Sequence, residues 1–184
     1  MFLISCHKLG EGAKLCRDNA VTLAMCVYDI FEKYPTIASF LTILAFEEVG
    51  KGIALIKKYE KGDGLTQKEW RQLSKFRDAH KRKLKILHIA LIDPYSVLTP
   101  HELSVKLEEI KEFKPIASDI AEQIHKLKLD YLYVNWDEKE NRWLSPIERK
   151  AYDLNAAMER LQTAITLVSQ KLRESGIETE TGIL

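Results

Sequence analysis

Ile37-Ala38-Ser39-Phe40-Leu41-Thr42-Ile43-Leu44-Ala45-Phe46-Glu47-Glu48-Val49-Gly50-Lys51 opens a stretch that continues to Ile56 and reads as a helix with apolar side chains on nearly every side. A helix apolar all round belongs at the centre of a bundle, so this segment predicts an all-α core with other helices packed about it. Glu48 and Lys51 fall inside the arc defined by Ile37, Leu41, Leu44 and Leu55. Charges there are costly unless paired, so they either satisfy each other one turn apart or serve a site.

The neighbouring segments follow the same period. Ala13, Cys16, Ala20, Leu23, Val27 and Ile30 form a first helical face that Tyr34-Pro35 closes. The central helix runs from about Thr36 to Tyr59, where Lys61-Gly62-Asp63-Gly64 supplies a turn. Thr66-Gln67-Lys68-Glu69 is a capping-box sequence, and Trp70, Leu73, Phe76, Leu84, Leu87 and Leu91 carry a third helix to Asp93-Pro94. After a loop through Thr99-Pro100, a fourth helix from about His101 carries Leu103 to Leu127, with Pro115 as a point of kinking. Tyr131-Leu132-Tyr133-Val134 and Arg142-Trp143-Leu144 flank a polar segment and predict a small hairpin or an ordered loop. Ser145-Pro146-Ile147-Glu148 has the order of an N-cap, a first-turn proline and a third-position acid, opening a last helix to about Arg173. The expected architecture is an antiparallel bundle of about five helices with an aromatic insert before the last. One domain spans residues 1–173, and residues 174–184 form a polar, frayed tail.

With 184 residues the chain suffices for one domain with a sizeable core. The three cysteines, Cys6, Cys16 and Cys26, form no Cys-x-x-Cys pair and read as reduced thiols of a cytoplasmic protein. No apolar run approaches the roughly 20 residues that span a bilayer, so no membrane association is expected. A net charge of +1 excludes a globally basic nucleic-acid binder. Basic residues nevertheless gather locally: Lys75, Arg77, Lys81, Arg82, Lys83 and Lys85 stand against a lone Asp78, a strip able to contact a polyanion. Such a run is equally the composition of a solvated helix face.

On the third helix His80 falls between Leu73, Phe76, Leu84 and Leu87, in the middle of the core-facing arc. A histidine so placed is commonly a satisfied core residue. Here the adjacent central helix breaks its own apolar pattern with Glu48 and Lys51, so the two helices are expected to share a polar pocket. Arg82 and His88 are the alternative pair, an arginine and a histidine with five residues between. On a regular helix they point about 120° apart. There is no phosphate loop, nucleophile elbow, His-Glu-x-x-His or metal-ligand spacing, and neither a cofactor nor a metal is expected.

Three blocks, taken together, give the chain a resemblance to the AbiV family of abortive-infection proteins. They are Leu44-Ala45-Phe46-Glu47-Glu48-Val49-Gly50-Lys51 with the segment leading into it, Phe76-Arg77-Asp78-Ala79-His80-Lys81-Arg82-Lys83, and Leu132-Tyr133-Val134-Asn135-Trp136 through Trp143-Leu144-Ser145-Pro146. That family is grouped with HEPN domains, helical bundles many of which dimerise and act as metal-independent RNases. The resemblance implies phage defence, a homodimer and RNA as substrate. His80 would then be the acid/base, Lys51 and Lys83 the electrostatic partners, and Glu48 the group orienting a cation or the imidazole. Arg77, Lys81, Arg82 and Lys85 would contact RNA. The other expectation is a non-catalytic module that docks a phage or translation protein, in which Glu48, Lys51 and His80 form a structural network.

Overall fold

A computed structural model describes residues 2–74, 78–92, 103–137, 141–146 and 153–177. Helix α1 (Cys6–Ile30) and helix α2 (Pro35–Glu60) form the first antiparallel pair. Pro35 occupies the first turn of α2, where its missing N–H costs nothing. Their interface is built from small side chains: Ala13, Cys16, Ala20 and Ala24 on α1 are buried, and a Cβ on Gly52 would lie 3.4 Å from the Cys16 Cβ. Close approach of this kind buries α2 on one side. Helix α6 (Leu154–Glu174) covers another side with Leu161, Ala164, Ile165, Val168 and Leu172.

The turn after α2 uses Gly62 at φ 69°, a left-handed conformation that glycine adopts without strain. The chain then enters β2 (Leu65–Thr66), which pairs antiparallel with β1 (Phe2–Ile4). This ladder was not expected from the sequence. The capping box is present as read: the Glu69 amide donates to Thr66 Oγ1 at 3.2 Å, and the Thr66 amide donates to Glu69 Oε2 at 2.8 Å. Hydrogen bonds from Lys58 and Thr66 hold the Glu69 carboxyl down at about 2.

The long third helix expected from Thr66 to Asp93 is two helices, α3 (Gln67–Ser74) and α4 (Ala79–Ile92). Residues 75–77, which include Phe76 and Arg77, and the expected end at Asp93-Pro94 lie outside the described residues. The apolar period continued across a break because it reports which face meets the core, not whether the backbone is continuous. Helix α5 (Leu103–Leu132) runs through Pro115 as one element. It meets α4 along a seam of complementary pairs: Lys81 to Glu122 at 2.5 Å, and Lys85 to Ser118 at 2.5 Å. The order of these pairs makes α4 and α5 antiparallel.

The insert is a hairpin of β3 (Asn135–Asp137) and β4 (Arg142–Leu144), with Trp136 opposite Trp143, but its first strand lies beyond the expected Tyr131–Val134 arm, of which Tyr131 and Leu132 belong to α5. Helix α6 starts later than Ser145-Pro146 suggested. Its N-cap is Asp153, whose carboxylate accepts from the Ala156 amide at 3.1 Å, and the expected first turn at Ile147-Glu148 lies outside the described residues. At the far end Gly176, φ 71°, closes a Schellman motif in which the Ile177 amide donates to the Leu172 carbonyl at 2.9 Å. Ile177 packs against Gly10, so the chain is anchored through that residue, beyond the expected start of a frayed tail at Glu174. Residues 178–184 lie outside the described residues. Among the described residues no helix is long and apolar enough to cross a membrane.

Candidate functional site

Where α2, α4 and α5 meet, the apolar core is interrupted by one carboxylate. Glu47 is 2% exposed and takes three partners from two other helices. Lys128 Nζ on α5 donates to Oε1 at 2.7 Å, while Lys83 Nζ and His80 Nδ1, both on α4, meet Oε2 at 3.0 Å and 2.6 Å. Lys128 and Lys83 are themselves buried, and the Lys128 ammonium lies 6.0 Å from the Phe40 ring centroid. Burial pushes the Glu47 carboxyl up, but the hydrogen bonds from Lys128 and His80 and the charge of Lys83 outweigh it and hold it below the usual glutamate value. Glu47 is therefore ionised, and a carboxylate can only accept. The His80 proton consequently sits on Nδ1 and is donated to Glu47. That leaves Nε2 with its lone pair, on a side chain that is 43% exposed.

The backbone is shaped to permit this meeting. A Cβ on Gly50 would lie 2.1 Å from the Lys83 carbonyl oxygen, so α2 and α4 touch backbone to backbone at the residue one turn after Glu47. Gly50→Ala is expected to force the helices apart, costing about 1–3 kcal/mol from overpacking. It should also lengthen the Glu47 contacts to His80 and Lys83. Urea denaturation and the shift of the His80 ring resonances measure both effects.

A second imidazole completes the cluster. His125, one turn before Lys128 on α5, stacks on His80 with ring centroids 5.6 Å apart and planes at 13°. Burial lowers its pKa, helped by His80, Lys128 and Lys81 beside it, while Glu47 acts in the opposite direction. Two lysines against one glutamate leave the neutral-histidine cluster with a formal charge of +1, which favours an anion at its exposed edge.

The residues singled out from the sequence divide between this cluster and other places. His80 and Lys83 are in it. Glu48 and Lys51 are not: they pair with each other at 3.1 Å and lie against Cys16 of α1, whose thiol burial pushes up to about 12, with Lys51 and Glu48 as lesser influences. The shared pocket of Glu48, Lys51 and His80 is thus corrected to one built on Glu47. One residue along a helix turns the side chain by about 100°, enough to move a carboxylate from the α4 side to the α1 side. The alternative pair is not brought together either. Arg82 is exposed and donates to Gln72 at 2.6 Å, whereas His88 is turned into the protein, its Nε2 buried without a partner among the described residues. Burial, with the Arg160 charge, lowers the His88 pKa to about 4. Arg77 lies outside the described residues, and Lys81 and Lys85 are engaged along the α5 seam, so the basic strip is not one open face.

Glu47, Lys128 and His125 were missed. Lys128 carried a readable signal, since it interrupts the helical series Ala121, Ile124, Tyr131 as His80 interrupts its own. Glu47 carried none that separated it from Glu48, because α2 is apolar on every side.

No curated protein and no solved structure matches the chain. A family model described as AbiV, of the HEPN group, matches residues 8–168, a span that holds every residue of the Glu47 cluster. The helical architecture and that match agree, and the chain belongs to the AbiV family of abortive-infection phage-defence proteins.

Proposed function

We propose that the protein is an RNA-cleaving effector of phage defence that works by metal-independent transesterification, with His80 as its general base. The observation that carries this reading is the clamp on His80. Its Nδ1–H is held by a buried, ionised Glu47 that two lysines fix in place, and its side chain is half-exposed. In the reaction Nε2 takes the proton of a ribose 2′-hydroxyl, and O2′ attacks the adjacent phosphorus. The bond from phosphorus to O5′ breaks as water protonates the leaving oxygen, giving a 2′,3′-cyclic phosphate and a 5′-hydroxyl end, and the proton on His80 then passes to solvent. Glu47 takes the orienting role first given to Glu48. Lys83 and Lys128 supply positive potential from within the cluster, in place of Lys51.

A homodimer of such units is the assembly that fits the family, with RNA as the partner. A docking reading is favoured by a different place: a cleft of about 550 Å³ between the end of α1 and the start of α6, lined by Val27, Tyr28, Phe31, Leu154 and Met158. A phage or translation protein seated there would inhibit growth without cleavage. The test is incubation of the purified chain with total RNA in the presence of a chelator, with mapping of fragment ends. Fragments ending in cyclic phosphate support the nuclease. Intact RNA from a folded, toxic protein overturns it in favour of docking.

A further inference from the structure

His125 has no place in the base role just described, yet its ring stacks on that of the base. Its ring is parallel to that of His80, and its Nδ1 is buried with no hydrogen-bond partner among the described residues. A buried N–H without an acceptor is rarer and costlier than a buried lone pair. The ring proton of neutral His125 therefore belongs on Nε2. His80 has the opposite tautomer, fixed by Glu47. The stacked pair thus offers an acceptor nitrogen from one ring and a donor N–H from the other.

We propose that His125 is a neutral hydrogen-bond donor of the site, giving Nε2–H to a non-bridging oxygen of the scissile phosphate while His80 handles the proton of the 2′-hydroxyl. This assignment rests on the nuclease reading. A donor aimed at an oxygen whose negative charge grows in the transition state is worth most when it is already in place and dry on its other side. The surroundings keep the ring neutral: the groups facing it are His80 and Lys81 from α4, Lys128 from its own helix and Glu47 from α2, and burial with the positive members of this set disfavours a second proton. No proton leaves His125 during the reaction: His80 takes the 2′-hydroxyl proton and water supplies the one that O5′ gains.

The roles are separable by experiment. His125→Ala should lower kcat by about 10²–10³-fold, as loss of one transition-state donor does, and His125→Gln, which keeps a neutral N–H near the position of Nε2, should recover most of it. The pH profile of His125→Gln should keep the shape of the wild-type profile, since the variant leaves the base in place. With a single-stranded oligonucleotide carrying a phosphorothioate at the cleaved position, the wild type should discriminate between the two diastereomers and His125→Ala should not. A glutamine variant as inactive as the alanine variant, or an alanine variant of wild-type rate, overturns the proposal. A measurement independent of catalysis separates its failure from that of the nuclease reading: the ring ¹⁵N shifts of His125 at neutral pH should be those of the neutral Nε2–H form, and a cationic or Nδ1–H ring overturns the assignment whether or not the protein cleaves RNA.

Discussion

Replacing Glu47 with glutamine is expected to lower the unfolding free energy by about 3–5 kcal/mol, the range seen when one member of a buried ionic cluster is removed. Two buried ammonium groups lose their counter-charge in this variant, and His80 loses the acceptor for its Nδ1 proton. Glu48→Gln should cost far less, because the Glu48 and Lys51 side chains keep roughly a fifth of their surface in water, 19% and 23%. Urea titrations of the two variants side by side measure the difference, and equal midpoints would remove Glu47 from the centre of the structure.

The same variant has a defined pH signature. The folded-state pKa of Glu47 is lowered, so its contribution is fully present above the unfolded glutamate value of about 4.3 and is lost as pH falls through the folded value. The stability gap between wild type and Glu47→Gln should therefore be constant near neutrality and narrow in acid. A gap that widened in acid would require a carboxyl with its pKa raised.

His80→Ala is expected to abolish both phage protection and RNA cleavage while the helical content stays that of the wild type. The loss of a positioned general base is worth about 10²–10⁴-fold in rate. The fold should persist because His80 sits at the exposed rim of the cluster, and the two lysines still neutralise Glu47 without it. Arg82→Ala is the outward control on the same helix: its side chain meets Gln72, so activity should be unchanged. Lys81→Ala should weaken RNA binding only in part, since its ammonium also pairs with Glu122. Loss of protection in Arg82→Ala and His88→Ala with full protection in His80→Ala would move the site to the usual HEPN spacing. Equal protection by all of these folded variants would leave docking as the function.

Much of this molecule was readable before its structure. Apolar period and punctuation by proline, glycine and capping residues identify α1, α2, α5 and the hairpin, because these signals act within a turn or two of the residues that carry them. The central position of α2 follows from its having no polar face, and His80 stands out as an ionisable group on an apolar stripe. The sequence by itself thus determines an all-helical bundle, the helix at its centre and the histidine that breaks its neighbour's pattern. What it leaves open is which neighbour each face of α2 meets. A helix apolar all round has no reference direction, so Glu47 and Glu48, adjacent in the chain, are equivalent until α1 takes one side and α4 the other. Lys128 and His125 are further still from His80 in sequence, 48 residues in the case of Lys128, and only the antiparallel seam of α4 with α5 brings them to it. The tertiary structure decided the partners because a buried charge selects its counter-ions by distance and orientation in three dimensions, and neither is encoded in spacing along one helix.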